Sequence, residues 1–81
     1  MVTITQDKTE EAIQKVALMF DKLSIAQYHE DNEKIYTITE AIEEYLFAKW
    51  EEGLSVRTIE TEAKLLHLEY ELQEANKLLG A

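Results

Sequence analysis

Two histidines, His29 and His67, carry the imidazole groups in this sequence that suit proton transfer or metal binding. His29 opens the run His29-Glu30-Asp31, in which every side chain can bind a metal ion. The spacing matches neither the paired ligands of a zinc-binding helix nor an EF-hand loop, which also requires a turn glycine. We therefore interpret the run as a solvated loop and expect no metal site.

Other catalytic arrangements are missing from the sequence. It has no cysteine, no serine and histidine in a recognisable nucleophile context, and no helical Glu-x-x-His pair for a di-iron site. Gly53 and Gly80 do not belong to a phosphate-binding loop. Paired glutamates are plentiful, but nothing in the pattern indicates a cleft around them. We expect no catalytic residue, no cofactor and no enzymatic activity.

The charge of the chain narrows the class of partner. The 81 residues include 17 acidic and 8 basic side chains, for a formal net charge of −9. This balance argues against direct binding to nucleic acid or to an anionic membrane, since both need clustered lysine and arginine. It permits a protein partner with a basic surface, or it serves solubility alone. The N-terminus lacks a signal peptide pattern and no stretch has transmembrane length, so we expect a cytoplasmic protein.

Helical periodicity dominates the chain, which we expect to form a single acidic helical domain over residues 1–81. A first helix is predicted to begin between Thr5 and Thr9 and to end near Tyr28, before a polar loop over residues 29–33. Its apolar positions recur at helical spacing: Ala12, Ile13, Val16, Met19, Phe20 and Leu23.

Capping patterns predict two further helices. Thr37 and Glu40 form a Thr-x-x-Glu capping box, so the second helix is expected from about Ile38 to Glu52, ending at Gly53. Ser55 is the expected N-cap of a long third helix over residues 56–79, which ends at Gly80.

The expected fold class is therefore all-α, either a three-helix bundle or a helical hairpin plus an N-terminal helix. One alternative involves strands. Residues 2–5 and 35–38 are rich in β-branched side chains and are able to pair as a short β ribbon beside the helices.

The third helix has two apolar faces. Val56, Ile59, Ala63, Leu66 and Tyr70 share one side at about 100° per residue. Leu65, Leu68, Leu72, Ala75 and Leu79 lie almost opposite, at the 3-4 spacing of a heptad seam. One face is expected to pack on the first two helices, and the other on a second chain, which predicts a homodimer. The alternative is a flat layer of three helices with this helix in the centre.

The second helix combines acids with aromatic side chains. Its apolar face is Ile38, Ala41, Ile42, Tyr45 and Leu46, with Trp50 at the edge, while Phe47 points elsewhere. The predicted partner-binding residues are Glu40, Glu43, Glu44, Phe47, Trp50 and Glu51. An aromatic side chain among carboxylates suits an interface with a basic partner. In the alternative, the first helix or Leu54 covers Phe47 and makes it ordinary core.

Residues 41–61, with Gly53-Leu54-Ser55 followed by Arg57-Thr58-Ile59, resemble the first helical hairpin of the core-binding domain of tyrosine recombinases. The resemblance covers about a quarter of the chain. Glu62 stands where that family usually has an aromatic residue, and the basic DNA-facing residues and the catalytic domain have no counterpart. The resemblance implies a helical hairpin at this position and does not extend to recombination.

These observations predict a protein-binding function. A chain of this length buries only about 60% of the surface that its unfolded form exposes, and without cysteine it has no disulfide to compensate. We expect a small regulator or inhibitor that binds another protein, with the basic surface of a nucleic-acid-binding protein as one target. Small acidic chains without motifs are common in phages and mobile elements. The second hypothesis is a structural module that homodimerises through its third helix.

Overall fold

The computed structural model describes the backbone of residues 3–80 and the side chains of residues 8–80. It contains three helices, α1 (Thr3–Tyr28), α2 (Asn32–Glu51) and α3 (Val56–Gly80), and no strand within residues 3–80. The predicted all-α three-helix bundle is confirmed.

The alternative β ribbon is wrong. Residues 3–5 lie in α1 and residues 35–38 lie in α2, while Val2 falls outside the described residues. Ile35 and Ile38 are both half-buried, and their spacing of three residues places them on one side of a helix. Because a strand would send these two side chains to opposite faces, burial of both favours the helix.

The second helix begins earlier than the sequence predicted. The side chain of Asp31 accepts a hydrogen bond from the backbone N–H of Lys34 at 3.2 Å, so Asp31 is the N-cap. Thr37 lies inside α2, where its hydroxyl donates to the carbonyl of Glu33 at 2.9 Å. The expected capping box of Thr37 and Glu40 is therefore wrong, and the connection between α1 and α2 shortens to residues 29–31.

The connection between α2 and α3 follows the local signals. Gly53 adopts a φ of 90°, a left-handed conformation that ends α2 at little cost for a glycine. Leu54 then turns into the core, and its N–H donates to the carbonyl of Lys49 at 3.1 Å. The hydroxyl of Ser55 accepts from the N–H of Thr58 at 3.2 Å, which confirms Ser55 as the cap of α3.

The hydrophobic core runs along α1, which packs against both other helices. Its buried residues are Ala12, Val16, Ala17, Ile42, Leu46, Leu54, Ile59 and Ala63. Helices α2 and α3 contact each other much less than either contacts α1. The bundle is correspondingly flat, with principal extents of 45 × 32 × 14 Å. The alternative prediction was a flat layer of three helices centred on the third helix. The layer is flat, but α1 occupies its centre and α3 an outer position, so the predicted centre is wrong.

This arrangement leaves an unusually large surface. The accessible area is 6450 Å² for a chain of 9.4 kDa, whereas a compact monomer of this mass exposes about 5,000 Å². Every residue of α3 from Leu68 to Gly80 is exposed. The second half of α3 therefore contributes much of the surplus.

Candidate protein-interaction surfaces

Phe47 and Trp50 form a stacked aromatic pair on the outside of α2. Their ring centroids are 5.7 Å apart with an interplanar angle of 29°. Phe47 is 58% exposed and Trp50 is 62% exposed. Because more than half of the Phe47 side chain is exposed, neither α1 nor Leu54 covers it, and Leu54 is buried in the core. The alternative that made Phe47 a core residue is therefore wrong.

Carboxylates surround this pair. At about 100° per residue, the outward side of α2 lies opposite the buried Ile42 and Leu46. We define the acidic-aromatic face as the exposed acidic and aromatic residues on that side within residues 36–51, namely Tyr36, Glu40, Glu43, Glu44, Phe47, Trp50 and Glu51. The six residues predicted from the sequence all lie on it. Trp50 lies at the edge of the face, between the buried Leu46 and the exposed Glu43, and is itself exposed.

Tyr36 belongs to this face although it is not among the partner-binding residues predicted from the sequence. Its hydroxyl donates a hydrogen bond to Oε2 of Glu40 at 2.8 Å. This bond raises the pKa of Tyr36 above its ordinary value of 10.0, with smaller contributions from partial desolvation and from the charge of Glu43. The spacing of Tyr36, Glu40 and Glu43 was the signal that could have identified it.

The two lysines of α2 lie away from the acidic-aromatic face. The ammonium group of Lys49 is 5.1 Å from the ring centroid of Tyr45 and 3.2 Å from Oε2 of Glu52. The hydrogen bond to Glu52 raises the pKa of Lys49, which therefore stays charged. The ammonium group of Lys15 on α1 also lies near this ring, 5.5 Å from the centroid of Tyr45. Since Lys34 also falls on the opposite side of α2, no lysine of this helix neutralises the face.

The seam on α3 is exposed along its whole length. Leu68 is 51% exposed and Leu72 is 64% exposed, and the remaining members Leu65, Ala75 and Leu79 are exposed as well. The opposite side of α3 carries the buried Ile59 and Ala63, which pack against α1. The seam therefore points away from the core of its own chain.

A polar cluster that was not predicted from the sequence joins α1 to α3. Nδ1 of His67 lies 2.8 Å from Oδ1 of Asp21, and Nε2 lies 3.1 Å from the hydroxyl of Ser24 and 3.4 Å from Oε2 of Glu71. Because a carboxylate only accepts, Nδ1 donates to Asp21. The contributing residues lie too far apart in sequence for any local motif to reveal them.

Ser24, His67 and Asp21 are the residue types of a catalytic triad. However, Ser24 lies within α1, where the neighbouring backbone N–H groups are taken up by helical hydrogen bonds. Such a position offers no free N–H pair to stabilise an oxyanion. The imidazole is largely buried at 13% exposure, and both of its nitrogens contact α1, Nδ1 through Asp21 and Nε2 through Ser24. We interpret the cluster as a polar cross-link between α1 and α3.

Among the residues whose side chains are described, no group of three histidine, aspartate or glutamate side chains is placed to hold a metal ion. In the run His29-Glu30-Asp31, the carboxylate of Asp31 caps α2, while the His29 ring packs edge-on against Tyr28 with centroids 5.4 Å apart. The side chains of His29 and Asp31 thus have separate structural contacts.

Comparison with protein-family models, curated proteins and solved structures finds no match. The helix, turn and helix over residues 41–61 are present, but no match to the tyrosine recombinases accompanies them. Within residues 3–80, no helix combines the length and the apolar character needed to cross a membrane.

Proposed function

We propose that this chain is a non-catalytic protein-binding module whose acidic-aromatic face binds a basic surface of another protein and so regulates or inhibits that protein. The stacked, exposed pair of Phe47 and Trp50 among carboxylates carries this proposal. Aromatic side chains at the centre of an interface supply most of its binding free energy, and a surrounding ring of polar groups excludes water.

The two chemical parts of the face have different roles. Burial of Phe47 and Trp50 supplies apolar area, since each aromatic side chain offers about 150–250 Å². The carboxylates attract a partner rich in lysine and arginine and increase the rate of association. The basic face of a nucleic-acid-binding protein is one surface with this chemistry, and occupying it would block access of the nucleic acid.

The test is capture of a partner from an extract of the native host, with matched charge variants. Changing Glu43, Glu44 and Glu51 together to lysine should abolish capture, because it replaces attraction by repulsion. A control carrying Glu10→Lys, Glu11→Lys and Glu74→Lys has the same net charge, and these exposed positions lie outside the face. It should retain capture. Equal loss in both variants, or in neither, would contradict the proposal.

Binding at the aromatic pair of Phe47 and Trp50 can be measured separately. Trp50 is the only tryptophan of the chain, so its fluorescence reports on this face alone. Titration with the captured partner should shift its emission to shorter wavelength as water is excluded. Phe47→Ala should weaken binding by about tenfold or more, as expected for a residue at the centre of an interface.

A second candidate function is a structural module that assembles by homodimerisation. The exposed seam of Leu65, Leu68, Leu72, Ala75 and Leu79 favours it. Sedimentation equilibrium over a range of concentrations tests it, and Leu72→Glu should abolish the dimer because it places a charge in an apolar contact.

A further inference from the structure

The α3 seam follows a heptad repeat whose positions can be assigned residue by residue. Leu65, Leu72 and Leu79 occupy the a positions, and Leu68 and Ala75 occupy the d positions. All five are exposed and lie opposite the side of α3 that packs on α1. A second helix can therefore dock on the seam without any change in the fold of the chain.

The charges that flank the seam are segregated by position. Between residues 57 and 69, Arg57 and Lys64 occupy g positions, and Glu62 and Glu69 occupy e positions. All four are exposed. Over residues 57–69, basic groups thus line one edge of the seam and acidic groups the other, and none of the four has an ion pair within residues 8–80. Glu71, at the next g position, faces the uncharged Asn76 at an e position of the second copy in a parallel pair.

This segregation selects one orientation for a second copy. In a parallel pair, each g residue faces the e residue five positions further along the other helix. Lys64 then meets Glu69 of the second copy, and Arg57 meets Glu62 of the second copy. Symmetry repeats both contacts, which gives four ion pairs of opposite charge.

An antiparallel pair lacks this match. There, e positions face e positions, and the alignment that pairs Leu68 with Leu72 of the second copy places the two Glu69 side chains near each other. Like charges so placed oppose association. The charge pattern therefore disfavours this orientation.

We propose that α3 forms a parallel two-stranded coiled coil with α3 of a second copy of this chain. The proposal rests on the second candidate function and specifies its geometry. The accessible surface exceeds that of a compact monomer by roughly 1,400 Å², and a standard interface removes about 800 Å² from each partner. The surplus is thus large enough for such a dimer. The parallel orientation also places the two acidic-aromatic faces at the same height along the axis, ready to bind a partner with two basic sites.

Charge exchange across the edges tests the orientation. Lys64→Glu should weaken the dimer by about tenfold, because it creates two like-charge contacts with Glu69. Glu69→Lys should weaken it similarly, although this change reduces the net negative charge and would strengthen association if only net charge mattered. The double variant should restore the wild-type dissociation constant to within about threefold. Lys77→Glu has the charge of Lys64→Glu but lies on the other side of α3, and should have little effect.

A cysteine cross-link provides an independent measurement, since the natural chain has no cysteine. In the parallel dimer, Ala75 faces Ala75 of the second copy at a distance that a disulfide spans. In the antiparallel dimer, the two positions lie about 15 Å apart along the axis. Ala75→Cys should therefore oxidise to a covalent dimer, whereas the control Lys77→Cys should not.

The outcomes separate the proposals. A wild-type chain that stays monomeric at all concentrations overturns both the homodimer and its orientation. A dimer in which Ala75→Cys fails to cross-link and the double charge variant fails to recover overturns the parallel orientation alone. Neither result bears on capture of a basic partner by the acidic-aromatic face. Circular dichroism of each variant establishes that the helices remain folded.

Discussion

Nδ1 of His67 on α3 donates a hydrogen bond to Oδ1 of Asp21 on α1 across 2.8 Å. The pair lies one helical turn beyond Ala63, the last buried residue of α3. The polar cross-link therefore holds α3 against α1 at the end of the apolar core, before the fully exposed part of α3 begins.

Removal of this cross-link should destabilise the fold. We expect His67→Ala to lower the free energy of unfolding by about 1–2 kcal/mol, because Asp21 and Ser24 lose their partner on α3. Urea unfolding followed by far-UV circular dichroism measures the change. His29→Ala, at an exposed turn position, is the matched control and should be nearly neutral. Equal effects of the two substitutions would show that the cross-link is not stabilising.

The caps provide a second comparison between similar side chains. Ser55→Ala should cost about 1 kcal/mol, because the N–H of Thr58 loses its acceptor. Thr37→Ala should cost much less, since its hydroxyl bonds only to a carbonyl already inside α2. Thermal unfolding of both variants distinguishes the two roles. A larger loss for Thr37→Ala would restore the capping box predicted from the sequence.

Core and seam positions should respond differently to truncation. Ile59 has no exposed surface, so Ile59→Val should destabilise by about 0.5–1.5 kcal/mol and Ile59→Ala by about 2–5 kcal/mol. Leu72→Ala should change the unfolding of the dilute monomer by less than about 0.5 kcal/mol. At concentrations where dimers form, Leu72→Ala should lower the free energy of unfolding by a larger amount. Denaturant unfolding at two protein concentrations tests both statements.

The titration of Tyr36 should report on the acidic-aromatic face. Its pKa is raised chiefly by the bond to Glu40, so its phenolate should form above pH 10.0. A raised pKa in the folded state means that the bond contributes stability below the unfolded value and loses it as pH rises through the folded one. The ultraviolet difference between the wild type and Tyr36→Phe isolates this group. Glu40→Gln should bring its titration closer to the ordinary value, and an unchanged curve would refute the assignment.

Signals between near neighbours in the sequence predicted much of the local structure. Gly53 and Ser55 were correctly assigned because helix termination and capping involve residues within one turn. The predicted start of α2 was wrong because the side chains of Asp31 and Thr37 are both able to cap a helix. The choice between them depends on packing of Ile35 and Ile38 against the bundle, which local rules do not include.

The arrangement of the helices depends on long-range contacts. Two apolar faces on the third helix indicated either a second chain or a central position, and sequence spacing alone gave no way to decide which helix has two neighbours. The contact of Asp21 with His67 spans 46 residues and follows no motif. In contrast, all six acidic and aromatic positions on α2 could be grouped from the helical period, because they lie within one helix.

The central position of α1 has a consequence for the order in which the chain unfolds. Since α2 and α3 are held mainly by α1 and contact each other little, either outer helix can detach while the other remains docked. Native-state hydrogen exchange should then resolve two separate opening events, with amides of α1 near Val16 protected in both. Loss of α1 removes the common support and unfolds α2 and α3 as well, so the first of the three helices in chain order is also the last to lose its structure.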